Sequence, residues 1–128
     1  MSDWELVGSG TATAFGDAVE AEVREVRGPA DVLAAIELLD SPEWVPPVIL
    51  VHEAGGTTLG PLLGSIAAVV STEGTLGAHI ALLAKEYGCP CIVGARLTVP
   101  AEELRRVRVT NDGSVWSAPA ATNGTAAP

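Results

Sequence analysis

Residues 71–94 read STEGTLGAHIALLAKEYGCPCIVG, and the reading of this stretch decides the fold. An apolar run, Ile66-Ala67-Ala68-Val69-Val70, ends just before it; short and β-branched, it reads as a buried strand. Residues 72–78 are small, polar or glycine, which makes them a loop. From Ala78 the spacing changes: Ile80, Leu83, Ala84 and Tyr87 fall at i, i+3, i+4 and i+7, one buried face of a helix. Gly88 suits a left-handed helix stop, and Pro90 cannot continue the helix. Cys91-Ile92-Val93 then forms a second short strand running into Gly94. The unit is strand, glycine loop, helix, glycine stop, strand.

One histidine, His79, stands in the first turn of that helix. The first turn carries backbone N–H groups without intrahelical partners and the positive end of the helix dipole, which together attract an anion. Gly74 and Gly77 permit close approach to the backbone. A neutral imidazole is a nucleophile near pH 7, so a histidine beside such a loop can accept a phosphoryl group. The plainer reading of a lone histidine here is that it decorates a helix start.

The stretch resembles the phosphohistidine motif of the mobile, or swivelling, domain of phosphoenolpyruvate-utilising enzymes, a family that includes phosphoenolpyruvate synthase, pyruvate phosphate dikinase and enzyme I of the sugar phosphotransferase system. Thr72, Glu73 and Gly74 match the motif's opening, and His79 falls on its phosphorylated histidine. Ala81, Ala84, Glu86, Gly88, Pro90, Val93 and Gly94 match in register without a gap. Lys85 stands where the family usually has arginine, and the resemblance implies that it screens charge. Departures cluster beside the histidine: Thr75 replaces a glycine, and Gly77 and Ala78 replace a Thr-Ser pair. Ala78 has no hydroxyl to cap the helix or to donate to a phosphoryl group. The resemblance thus implies His79 as the nucleophile and Gly74, Thr75, Gly77, Ala78 and Lys85 as the phosphate-binding set.

Working outward, 128 residues allow one domain, and 48% hydrophobic content excludes a disordered chain. The net charge of −9, with no basic cluster, argues against nucleic-acid binding and against attraction to anionic membranes. No apolar run approaches the length of a membrane span. The sequence starts without a basic segment followed by an apolar core, so a cytoplasmic location is expected. Cys89 and Cys91 flank Pro90; two unpaired thiols in a reducing compartment are expected, with a metal site using a histidine as the lesser alternative.

Residues 5–13 mix apolar and small residues and open with a strand. Val19, Ala21 and Val23 alternate with Glu20, Glu22 and Arg24, a strand with one wet face. Pro29 suits a helix start, and Val32, Leu33, Ile36 and Leu39 give residues 29–39 a buried helical face. Trp44 sits in a proline-flanked connection and reads as a cover for the core. Residues 48–51 form a central strand, followed by the glycine-rich loop His52-Glu53-Ala54-Gly55-Gly56. His52 reads as a solvated strand-end histidine, or alternatively as a partner of His79. Residues 59–64 allow one or two helical turns, with Leu62 and Leu63 facing the core. Val107 and Val109, the turn Asn111-Asp112-Gly113 and Val115-Trp116 make a β-hairpin.

The resemblance makes the expected fold an α+β, three-layer β/β/α swivelling domain over residues 1–116, with residues 117–128 as a disordered tail. It implies a phosphohistidine carrier that binds no cofactor itself. Mg and ATP or phosphoenolpyruvate would sit on partner nucleotide-binding or phosphoenolpyruvate/pyruvate-binding subunits, and a homo-oligomer is compatible. The alternative, prompted by Gly77 and Ala78, is a binding or assembly module that kept the fold without phosphotransfer.

Overall fold

The computed structural model describes residues 4–13, 17–27, 29–52, 62–72, 79–100 and 103–118, with the side chains of Pro29, His79 and Ile80 excepted. Strands β1 (Glu5–Thr13) and β2 (Val19–Val26) lead into helix α1 (Pro29–Leu38). Strands β3 (Val48–Val51) and β4 (Ala68–Ser71) precede helix α2 (His79–Tyr87), and β5 (Cys91–Leu97), β6 (Arg106–Val109) and β7 (Ser114–Ser117) complete the order. Strands β2, β3, β4 and β5 run parallel, and β1, β6 and β7 add antiparallel pairs.

The sheet closes. In the order β1-β5-β4-β3-β2-β6-β7, β1 pairs with both β5 and β7, so the seven strands form a barrel. This corrects the expected three-layer α+β sandwich: the protein is mostly sheet, and the described residues hold two short α-helices, α1 and α2, lying against the barrel. The physical reason lies in β1. Its register slips between Leu6 and Gly8 against β7, and between Ser9 and Thr11 against β5. Such irregularities bend a strand and let it serve two partners at a barrel corner. Glycine makes the close approach possible there: a Cβ on Gly10 would meet Val93 O at 2.7 Å and Ala95 Cα at 2.9 Å. Gly10 N–H donates to Gly113 O at 2.8 Å, and Gly113 itself sits at φ 89 with Gly10 O only 2.0 Å from where its Cβ would be.

Two apolar cores follow from the alternation along the parallel strands. Val48, Leu50, Ala68, Val70 and Ile92 point into the barrel with Val7, Val107, Val109 and Val115. Ile49, Val51, Val69, Cys91 and Val93 point outward, where Val32 and Ala35 of α1, Ala81 and Ala84 of α2, and Leu62 and Leu63 cover them. Strands covered on both faces read as continuous apolar runs, which explains residues 48–51 and 68–70.

Helix faces needed adjustment. Tyr87, expected in the buried face of α2, is 55% exposed, and Leu33 of α1 is 61% exposed. Small Ala81 and Ala84 are what α2 buries fully against the sheet, with Leu83 part-buried beside them as expected. Gly88, at φ 67, ends that helix as expected. Trp44 packs against the helix-side core and its Nε1–H donates to Ser65 O at 3.0 Å, as a cover for the core should. The hairpin is β6 and β7, which runs through Ser117, one residue past the expected boundary. Residues 14–16, 53–61 and 119–128, on which other expectations fell, lie outside the described residues.

Candidate functional site at the strand ends

Three of the four parallel strands, β2, β3 and β4, finish along one edge. Val26 is in register with Val51, and Val51 with Ser71. Helix α2 connects β4 to the parallel strand β5, so its first residue, His79, returns to that same edge. Crevices outside the carboxyl ends of parallel strands are where open α/β sheets bind ligands, and this half of the barrel shares that construction.

Around the edge the chain ends are tied together. Thr72 N–H donates to Val51 O at 3.0 Å, and its hydroxyl donates to the carbonyl of His52 at 3.1 Å. Ser71, just before it, is fully buried. His52 Nε2 contacts Glu25 Oε2. A carboxylate only accepts, so this nitrogen carries the hydrogen. Arg27 reaches the same carboxylate oxygen at 3.0 Å. His52 is therefore gripped by Glu25 from the neighbouring strand, an attachment that the sequence did not disclose, because residues 25 and 52 meet only through the parallel register.

His79 itself heads α2. At about 100° per residue, its Cα lies some 140–200° around the helix from buried Ala81 and Ala84, on the side away from the sheet. Gly74, Thr75, Gly77 and Ala78 lie outside the described residues. Lys85 is exposed in the last turn, six residues on, about 9 Å along the axis from His79. The structure thus brings His79, Thr72, His52, Glu25 and Arg27 to one edge and leaves Lys85 at the far end of the helix.

The cysteines lie away from that edge. Cys89 and Cys91 are unpaired and buried at the opposite end of α2, where β5 begins. Burial pushes the Cys89 thiol up to about 11; burial and then the neighbouring Cys89 push Cys91 up to about 12. Both stay protonated at neutral pH, which suits core packing rather than thiolate ligation. Among the described residues no group of three metal-ligating side chains comes together. A cleft of about 580 Å³ beside β2 is lined by Glu22, Glu25 and Glu43 against a single guanidinium, Arg24. Its charge repels a phosphate, and Glu25 is shared between this cleft and the strand-end edge.

Residues 44–115, more than half of the chain, match the family model described as PEP-utilising enzyme, mobile domain. The chain belongs to that family. Its role is accordingly related to phosphotransfer, and the family's members work with partner domains. The mobile domain is also 38% identical over 73 residues to a chondramide synthase from Chondromyces crocatus, a match that takes in 57% of this chain and 2% of that protein. Among the described residues no helix of the mobile domain is long and apolar enough to cross a membrane.

Proposed function

We propose that the mobile domain is a phosphohistidine carrier, with His79 as the acceptor. The observation that carries this reading is the position of His79: it is the first residue of a nine-residue helix, at the edge where β2, β3 and β4 finish. There the unpartnered N–H groups and the helix dipole favour an incoming anion. In the transfer, an imidazole nitrogen lone pair forms the N–P bond, the donor's P–O bond breaks, and the leaving oxygen keeps its electron pair. The imidazole N–H proton goes to water. Gly74, Thr75, Gly77 and Ala78 form the phosphate loop in this reading. Lys85 contributes long-range charge only, given its place at the far helix end.

The carrier holds no nucleotide of its own. A partner subunit binds ATP or phosphoenolpyruvate with Mg and loads His79; a second site unloads it. A cytoplasmic setting, where those donors are made, belongs to the same proposal. Incubation with a labelled phosphoryl donor and partner should give an adduct that is labile in acid, stable in base and lost in His79→Ala. Failure of the wild-type chain to form any such adduct would favour the second reading, an assembly module, which Gly77 and Ala78 motivate because they supply no side-chain donor beside the histidine.

A further inference from the structure

Six large apolar side chains are exposed among the described residues, and three of them, Leu38, Val45 and Tyr87, gather at the base of the helix layer. Each helix joins two parallel strands, so each runs back down the barrel and ends where the next strand starts. Leu38 is the last residue of α1 and Tyr87 the last of α2. Contacts link them. Tyr87 Cδ2 lies 3.9 Å from where a Cβ on Gly64 would stand, and the next residue, Ser65, accepts from Trp44 Nε1–H at 3.0 Å. Trp44, Val45 and Leu38 line the cleft of about 580 Å³ beside β2. An apolar strip thus runs from Tyr87 past Trp44 and Val45 to Leu38, at the end of the barrel opposite the strand-end edge.

Val45 is the extreme case at 74% exposed, and the chain on either side holds it there. Before it, Glu43 N–H donates to Ser41 Oγ and Trp44 N–H to Ser41 O, both at 3.1 Å, and the indole is tied to Ser65. After it, Pro46 and Pro47 fix φ at two successive positions, and Pro47 is buried. A side chain held out between two anchors loses little freedom when a partner covers it, so the contact yields more affinity. Exposed apolar side chains that cluster mark an interaction surface.

The charge around the strip selects what covers it. Residues 33–47 carry Glu37, Asp40 and Glu43 and no cation. Glu22 adds a carboxylate on the β2 wall of the cleft, where Glu25 is already held by Arg27 and His52. The cations nearby are fewer. Arg24 lines the cleft, the backbone of Arg105 bonds Val23, and Lys85 is followed by Glu86. Arg106 and Arg108 are bound to Glu20, and Arg96 lies near the far end of β5. A two-fold contact with a second copy would set this acidic strip against itself in a chain of charge −9.

We propose that the strip of Tyr87, Trp44, Val45 and Leu38, rimmed by Glu37, Asp40 and Glu43, docks a segment of a partner protein that carries basic side chains beside apolar ones. The apolar groups cover Val45 and Leu38, and the ammonium or guanidinium heads meet the carboxylates. The head of α2 is about 12 Å up the helix from Tyr87, so a partner docked here leaves the strand-end edge open. The docking does not depend on what His79 does.

The test mixes the 128-residue chain with a fluorescein-labelled hexapeptide of alternating lysine and leucine. Binding is read by fluorescence polarisation and by the indole N–H NMR signals of Trp4, Trp44 and Trp116, with that of Trp44 assigned through Trp44→Phe. The peptide should bind saturably, bind less at high salt, and shift the Trp44 signal. Val45→Asp and Glu43→Lys should each weaken binding about tenfold, with unchanged melting temperatures because both side chains are exposed. Leu6→Ser, at an exposed apolar site on β1, should match wild type. A glutamate–leucine hexapeptide should not bind. No saturable binding, full binding to Val45→Asp, or movement of Trp4 or Trp116 in place of Trp44 overturns the proposal. Equal binding of the two peptides overturns the basic partner. A dimer in sedimentation that Val45→Asp dissolves overturns it in favour of a second copy.

Discussion

The two sides of this barrel are built by different means. On the parallel side, every residue of β3 and β4 is buried, one set inside the barrel and one beneath the helices. On the antiparallel side, strands alternate between the barrel interior and water. There Glu20 meets Arg106 at 3.3 Å and Arg108 at 3.5 Å, and Arg108 lies 4.7 Å over the Trp4 ring. This side also buries Val7, Val107, Val109 and Val115 in the barrel, but its seam is closed by backbone contact through Gly10 and Gly113. Apolar side chains specify the parallel half; the absence of side chains specifies the seam.

If that contrast is right, the most damaging small substitution lies at the seam. Gly113→Ala places a methyl 2.0 Å from Gly10 O at φ 89, and should cost ~4 kcal/mol or more, seen as loss of cooperative unfolding in urea. On the parallel side the largest effect comes from lost volume. Ile49→Ala removes a fully buried side chain between β3 and the helices and should lower stability by about 2–5 kcal/mol in the same assay. A glycine with backbone demands alone separates the two mechanisms. Gly88 has φ 67 and nothing within 4 Å of an added Cβ, so Gly88→Ala should cost only about 1 kcal/mol.

The smallest effect belongs to the hairpin turn on the antiparallel side. The Thr110 hydroxyl and then Ser114 donate to the Asp112 carboxylate and hold it below the usual carboxylate range. A depressed carboxyl stabilises the fold above its ordinary value near 3.9 and loses that contribution as pH falls through the folded value. Thermal melts between pH 5 and 2 should therefore decline slightly less steeply in Asp112→Asn than in wild type, a change kept small by full exposure.

The same contrast explains what could be read from the sequence. Hydrophobic runs and helical spacing show the parallel side: residues 48–51, the helix ahead of Gly88 and Pro90, and the histidine at its head were all legible. The hairpin was legible from Asn111-Asp112-Gly113. Closure was not, because one strand pairing with two others leaves no periodic trace; only Gly8 and Gly10 hint at it, and glycine in a strand has several meanings. Tyr87 misled because spacing cannot tell which of several helix faces touches the sheet. The Glu25–His52 contact depends on register between segments far apart in sequence. Pattern reading along one segment does not reach it.

The seam has one more effect. With β1 paired on both sides, the seven-strand sheet has no unpaired margin. A module with no spare edge cannot recruit a stray strand from a neighbour or stack into fibrils by edge pairing. Copies of such a barrel can therefore lie close together without joining sheet to sheet.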